Sequence, residues 1–176
     1  MEGQIVKIIR QTHIVNCDNE NYACHCRIRN KNIVPLVGDY CIFSKENKTI
    51  EEILPRKNEF KRPPVSNIDQ AIIVTSLVSP AFSTNLLDRF LTTMELHNIE
   101  SIICVTKEDI TPQDELEKLK PILKYYENIG YKVISNKDIE SLKQLLEGKV
   151  SVFTGQTGAG KSTLINKIIP DLNLET

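Results

Sequence analysis

The sequence predicts a small closed β-barrel followed by an α/β domain whose parallel sheet carries helices on both faces. Two observations support this. The first third of the chain falls into short β-forming stretches without a helical period of useful length. The remainder alternates apolar strand-like runs with amphipathic helical stretches, the pattern of strand–helix–strand units on a parallel sheet.

In the first part, strands are predicted over Gln4–Ile9, Tyr22–Ile28, Asp39–Phe43 and Thr49–Leu54, with Asn, Gly and Asp breaks between them. Several short strands in so little chain suggest closure into a barrel, which leaves no exposed edge. A basic run, Arg27-Ile28-Arg29-Asn30-Lys31, sits at a strand end. An oligonucleotide-binding (OB-type) barrel would turn such a run toward a phosphate backbone; a solvated edge guarded by charge is the alternative.

Pro55 to Pro64 reads as a linker, because its three prolines oppose a helix or an interior strand. Gln70–Leu77 then suits a strand buried on both faces. Thr84-Asn85 can cap a helix over Leu86–His97, with Leu87, Phe90, Leu91 and Met94 on one face. Ser101–Val105 is a second buried strand. Pro112 opens a helix to Asn128 with Leu116, Leu119, Ile122 and Leu123 inward, and Gly130 ends it. Tyr131–Ile134, a helix from Asp138 to Leu146, Val150–Phe153 and a last helix from Lys161 complete the series.

Composition narrows the class. With 40% apolar and 26% charged residues in 176, the chain matches a globular protein and not a disordered one. No apolar run reaches the roughly 18 residues of a membrane span, and the N-terminus has no signal-peptide pattern, so a cytoplasmic location is expected. The five cysteines are an odd number without a disulfide framework. Cys24-His25-Cys26 has no second ligand pair at zinc spacing, so these are read as thiols in a reducing compartment. His13, His25 and His97 have no partner spacing and are read as surface or packed residues. Charge is uneven: residues 1–66 carry 11 Lys+Arg against 8 Asp+Glu, residues 67–176 carry 11 against 15. The basic front is a candidate for nucleic acid.

The motif with the most chemistry is Gly155-Gln156-Thr157-Gly158-Ala159-Gly160-Lys161-Ser162, a full match to the phosphate-binding loop G-x-x-x-x-G-K-[ST] between a predicted strand and helix. Its glycines let backbone N–H groups converge, and the helix N-terminus adds partial positive charge. Lys161 is expected to reach the β- and γ-phosphates and to act catalytically there; Ser162 is expected to ligate Mg²⁺, and Thr163 extends the site. Thr106-Lys107-Glu108-Asp109 is one letter from the guanine-reading motif N-K-x-D. In that motif the Asp carboxylate accepts from guanine N1–H and N2–H₂, a pair adenine does not offer. A polar loop with Asp109 or Thr111 capping the next helix is the competing reading. Ser135-Asn136-Lys137 lies where GTPases place a loop whose backbone N–H meets guanine O6. The order base loop, O6 loop, phosphate loop rotates the usual GTPase order while leaving all three at one sheet edge.

With these motifs the sequence resembles the circularly permuted GTPases, specifically the ribosome small-subunit-dependent GTPase A family. The likeness runs through Cys26-Arg27-Ile28-Arg29, Val37-Gly38-Asp39, Leu54-Pro55-Arg56-Lys57-Asn58, Arg62-Pro63-Pro64-Val65-Ser66-Asn67-Ile68-Asp69-Gln70, Leu87-Asp88-Arg89-Phe90-Leu91 and Gly155-Gln156-Thr157-Gly158. The resemblance implies an OB-type RNA-binding barrel with its basic linker over residues 1–66 and a circularly permuted P-loop GTPase over 67–176. It implies GTP/GDP and Mg²⁺ as ligands, a zinc-binding helical module beyond Thr176, and action in late maturation of the small (30S) ribosomal subunit. The barrel would contact 16S rRNA, with no membrane role and a monomeric state.

Two departures follow from the comparison with the family pattern. Thr106 stands where Asn is usual and lacks the amide that would meet the base N7 and brace the phosphate loop. The switch segments and zinc ligands are expected past Thr176, so the chain is read as truncated after the phosphate-loop helix, with little turnover of its own. The rival readings are an ATP-using P-loop enzyme and a non-catalytic RNA-binding module with a vestigial phosphate loop.

Overall fold

A computed structural model describes residues 1–27, 33–61, 63–172 and 174–175. Two compact units result, Met1–Ile68 and Asp69–Thr176.

The first unit is a closed five-stranded barrel of β1 (Glu2–Ile9), β2 (Thr12–Cys17), β3 (Glu20–Cys26), β4 (Tyr40–Ser44) and β5 (Thr49–Ile53). Strand order is β1-β2-β3-β5-β4, with β4 returning to β1 and β3 pairing parallel to β5. This is the partly crossed five-strand closure of an OB-type barrel. Alternate inward residues Ile5, Val15, Cys24, Cys41, Phe43 and Ile50 fill its core. Strand β2 was not expected from sequence. Its inward pair His13 and Val15 alternates with Ile14 and Asn16, a short mixed pattern that only the pairing with β1 and β3 makes legible. Ile28, Arg29, Asn30 and Lys31 of the basic run, and Arg62, lie outside the described residues.

The expected linker is in fact partly ordered. Its residues form β6 (Glu59–Lys61) and β7 (Pro64–Ser66), an antiparallel pair with Phe60 buried. In a two-stranded ribbon both strands are edges, so the missing N–H of Pro64 is tolerated. Asp39, expected to begin a strand, is instead a buried anchor just before β4. Its carboxylate accepts from Arg56 Nε and one terminal nitrogen, each at 2.7 Å, from Ser66 Oγ at 2.6 Å and from Leu36 N–H at 2.7 Å. This charge-assisted set fastens the hairpin to the barrel.

The second unit holds a four-stranded parallel sheet in the order β10-β9-β8-β11. Its elements are β8 (Gln70–Ser76), α1 (Thr84–Leu96), β9 (Glu100–Thr106), α2 (Gln113–Asn128), β10 (Lys132–Ser135), α3 (Ile139–Leu146), β11 (Ser151–Gly155) and α4 (Lys161–Ile168). Ile72, Val74, Ile102 and Cys104 line one sheet face against Leu142 of α3 and Leu164 of α4. Helix α1 packs on β8 and β9 through Leu87, Leu91 and Met94. Phe90, also expected inward, is half-buried. Its cap is Ser83, whose hydroxyl accepts from Leu86 N–H, and not Thr84 or Asn85. In α2, Leu119 is buried as expected, and so is Tyr126, whose hydroxyl donates to Asp88 at 2.6 Å; Leu116, Ile122 and Leu123 are only half-buried. Because all four strands are parallel, their carboxyl-terminal loops gather at one end of the sheet, where such folds bind ligands.

Candidate nucleotide site

Strand β11 runs directly into the Gly155–Ser162 loop. Gly155 has φ +138°, and a Cβ there would lie 2.1 Å from the Val74 carbonyl oxygen of neighbouring β8. A side chain is therefore excluded at the point where loop leaves sheet. Gly160 takes φ +95° as the N-cap of α4 and brings no side chain to its first-turn N–H groups. Those groups face the loop with the positive end of the helix dipole, the arrangement that suits a phosphate. Ala159 is fully buried, while Gln156, Thr157 and Gly158 are exposed.

The Lys161 ammonium folds back over this loop and donates to the carbonyls of Gly155 at 2.9 Å and Gln156 at 2.8 Å. Partial burial holds its pKa below the ordinary lysine value. Ser162 is half-buried in the first turn of α4, and Thr163 is exposed beside it. Among the described residues no group of three or more His, Cys, Asp or Glu could hold a metal ion. One hydroxyl at a helix N-terminus does fit Mg²⁺ that keeps waters and shares phosphate oxygens, since that ion needs few protein ligands.

The loop after β9 divides its residues between two neighbours. Thr106 is buried, and its hydroxyl donates to the Ala159 carbonyl at 2.6 Å. The expectation that threonine would leave the phosphate loop unbraced is thus corrected: a hydroxyl reaches where an amide would. Its single proton is committed there, so it has no donor left for a purine N7. Lys107 adopts φ +64° and sends its ammonium to the carbonyls of Gly158 at 2.9 Å and Ser79. Glu108 turns the other way, accepting from Ser135 Oγ at 2.5 Å, with Lys137 Nζ at 3.9 Å. Asp109 is exposed. Neither Asp109 nor Thr111 caps α2: its N-cap is Pro112 without a side-chain bond, and Thr111 Oγ1 donates to the Lys107 carbonyl at 2.6 Å.

In the Ser135–Lys137 loop the Asn136 backbone N–H is committed to the Val105 carbonyl at 2.9 Å, extending the β9–β10 ladder. The Asn136 Oδ1 atom is buried without a partner. The next amide, Lys137 N–H, rests at 3.3 Å from Ser135 Oγ. The three expected loops therefore converge: Thr106 and Lys107 on the phosphate loop, Glu108 on the O6 loop. Sequence reasoning missed the roles of Ser79 and of the Glu108–Ser135 bond. The only available signal was that polar residues end both β9 and β10.

The fold and these loops define a P-loop protein of permuted order, its phosphate loop following the fourth described strand of the sheet and not the first. The chain belongs to the RsgA GTPase family, whose model matches residues 53–176. It is 45% identical to the small ribosomal subunit biogenesis GTPase RsgA of Enterococcus faecalis, covering 100% of this chain and 62% of that protein. It is 48% identical to the corresponding RsgA 2 of Oceanobacillus iheyensis, covering 99% and 63%. The chain therefore spans less than two thirds of the length of these curated relatives. Among solved structures, YjeQ from Thermotoga maritima superposes with a TM-score of 0.87 at 31% identity, and YloQ, described as a circularly permuted GTPase, with 0.80 at 41%. Each match covers 99% of this chain and 66% of the other.

Proposed function

We propose that this chain carries the guanine-nucleotide site and the barrel of a GTP-hydrolysing factor in small ribosomal subunit biogenesis. In this reading residues 67–176 bind GTP and GDP, and residues 1–66 bind 16S rRNA of the 30S subunit, in the cytoplasm and as a monomer. The family membership, the relatives' printed names and the positive charge excess of residues 1–66 support it.

The observation that carries the nucleotide reading is the pair of bonds from Thr106 to Ala159 and from Lys107 to Gly158. They tie the loop that carries the exposed Asp109, whose carboxylate would read a guanine edge, to a loop suited to a diphosphate. The role assigned to Gly155–Thr163 is to surround the phosphates with N–H groups and the Lys161 charge, which act by positioning and by charge stabilisation. Ser162 would hold Mg²⁺, which supplies further neutralisation of phosphate charge. Lys107 and Asp109 would flank the base, with the Ser135–Lys137 loop at its O6 edge and with Thr106 and Glu108 bracing these loops.

Competition of GDP and ATP for a fluorescent GDP analogue tests this reading. The expected result is strong preference for GDP, collapsing in Asp109→Asn. Equal competition by ATP would favour the ATP-enzyme alternative. Small-subunit binding indifferent to Lys161→Ala and to nucleotide would favour the RNA-binding module.

A further inference from the structure

The Thr106–Asp109 loop contains a half-buried carboxylate, Glu108, that is engaged with the neighbouring strand's loop and not with the phosphate loop. Glu108 lies between Lys107, which bonds the phosphate loop, and Asp109, which is exposed. Its own carboxylate is bonded to the end of the neighbouring strand, accepting a hydrogen bond from the Ser135 hydroxyl at 2.5 Å. That same Ser135 oxygen lies 3.3 Å from the Lys137 N–H. The chain of contacts is thus Glu108 carboxylate, Ser135 hydroxyl, Lys137 amide. The alternative amide in this loop, that of Asn136, is bonded to the Val105 carbonyl.

We infer that Glu108 is a positioning residue for base selection: through Ser135 it sets the Lys137 N–H that meets the purine O6. This rests on the guanine reading above and deepens it. The physical basis is direction. A serine hydroxyl rotates freely unless its proton has a strong acceptor, and a carboxylate is the strongest available. With the hydroxyl hydrogen directed at Glu108, a Ser135 lone pair is free to accept from Lys137 N–H and hold the loop in one geometry. The amide can then exchange this long bond for a purine carbonyl without the loop moving. Without Glu108 the hydroxyl turns, and the loop is free to sample others. The Lys137 ammonium, 3.9 Å from the same carboxylate, adds a second tie between the loops.

The division of labour gives a distinctive signature. O6 is shared by guanine and hypoxanthine and is absent from adenine; the exocyclic N2 belongs to guanine alone and is the province of Asp109. Affinities of GDP, IDP and ADP are measured by competition with a fluorescent GDP analogue on the whole chain. In Glu108→Ala, GDP and IDP are expected to weaken together by about tenfold, the worth of one well-placed bond to a charged group, with their ratio unchanged and ADP unaffected. Glu108→Gln, whose amide oxygen still accepts from Ser135, is expected to recover most of the loss. A general structural defect would weaken all three nucleotides alike, and that outcome overturns the inference. So would wild-type affinities in Glu108→Ala, a GDP-to-IDP ratio that collapses, or failure of Glu108→Gln to rescue. A wild-type chain that does not prefer GDP over ADP would overturn the guanine reading itself, and this inference with it.

Discussion

A threonine hydroxyl at position 106 and a lysine ammonium at 107 do the same mechanical work on adjacent carbonyls of the phosphate loop. Lys161 differs from both, because its ammonium is partly buried over carbonyls with its pKa held down by desolvation. Its lowered folded value means that the unfolded chain binds more protons between that value and the ordinary 10.5. This group therefore lets the nucleotide-free unit gain stability as pH rises through that window. A bound diphosphate reverses the shift by favouring the charged form. GDP binding in the pH window between that lowered value and 10.5 is accordingly predicted to take up protons. Calorimetry in buffers of different ionisation enthalpy would show this, and the uptake should vanish in Lys161→Arg. Equal uptake in that variant would assign the protons elsewhere.

Individual elements differed in how far sequence revealed them. Strands β8 and β9 were legible because an unbroken apolar run bounded by polar residues has few other uses, and Gly155–Ser162 because its glycines are needed for backbone geometry. Strand β2 was not, since its inward His13 is polar and its partners lie on other strands. The β6–β7 hairpin was concealed by prolines that an edge position tolerates. The loops proposed to hold the base were visible as motifs, but the Glu108–Ser135 bond joins residues 27 apart that only strand pairing makes neighbours. The Asp39 anchor was hidden for the same reason, and it yields a prediction. Asp39 is fully buried and Arg56 half-buried, and the hydrogen bond to Asp39 lifts the Arg56 pKa further above its ordinary value. Asp39→Ala leaves the Leu36 N–H and Ser66 hydroxyl without this acceptor and Arg56 with only Glu59 and the Val34 carbonyl, and is predicted to cost the barrel unit about 3 kcal/mol, measured by denaturant unfolding followed by far-ultraviolet circular dichroism. A loss below about 1 kcal/mol would mean that surface-like screening governs the pair.

For the molecule as a whole, the cysteines form a built-in reporter set. Cys24 and Cys41 are buried in the barrel, Cys104 is buried in the parallel sheet, and Cys26 is exposed. Burial pushes Cys41 and Cys104 up to about 12, which leaves little reactive thiolate near neutral pH. Thiol labelling under native conditions is predicted to modify Cys26 first and the three buried thiols only on unfolding. Saturating GDP stabilises the unit that binds it by mass action, so it should slow labelling of Cys104 and leave Cys24 and Cys41 unchanged. Protection of all three would show the units unfolding as one. In the proposed site the two motif loops of the second unit hold opposite ends of a single nucleotide. A crystal structure of the chain with GDP tests that most directly. It is predicted to show the diphosphate among the N–H groups ahead of Lys161 and the guanine N1–H and N2–H₂ on the Asp109 carboxylate; a purine bound away from Asp109, with the phosphates in place, would contradict it.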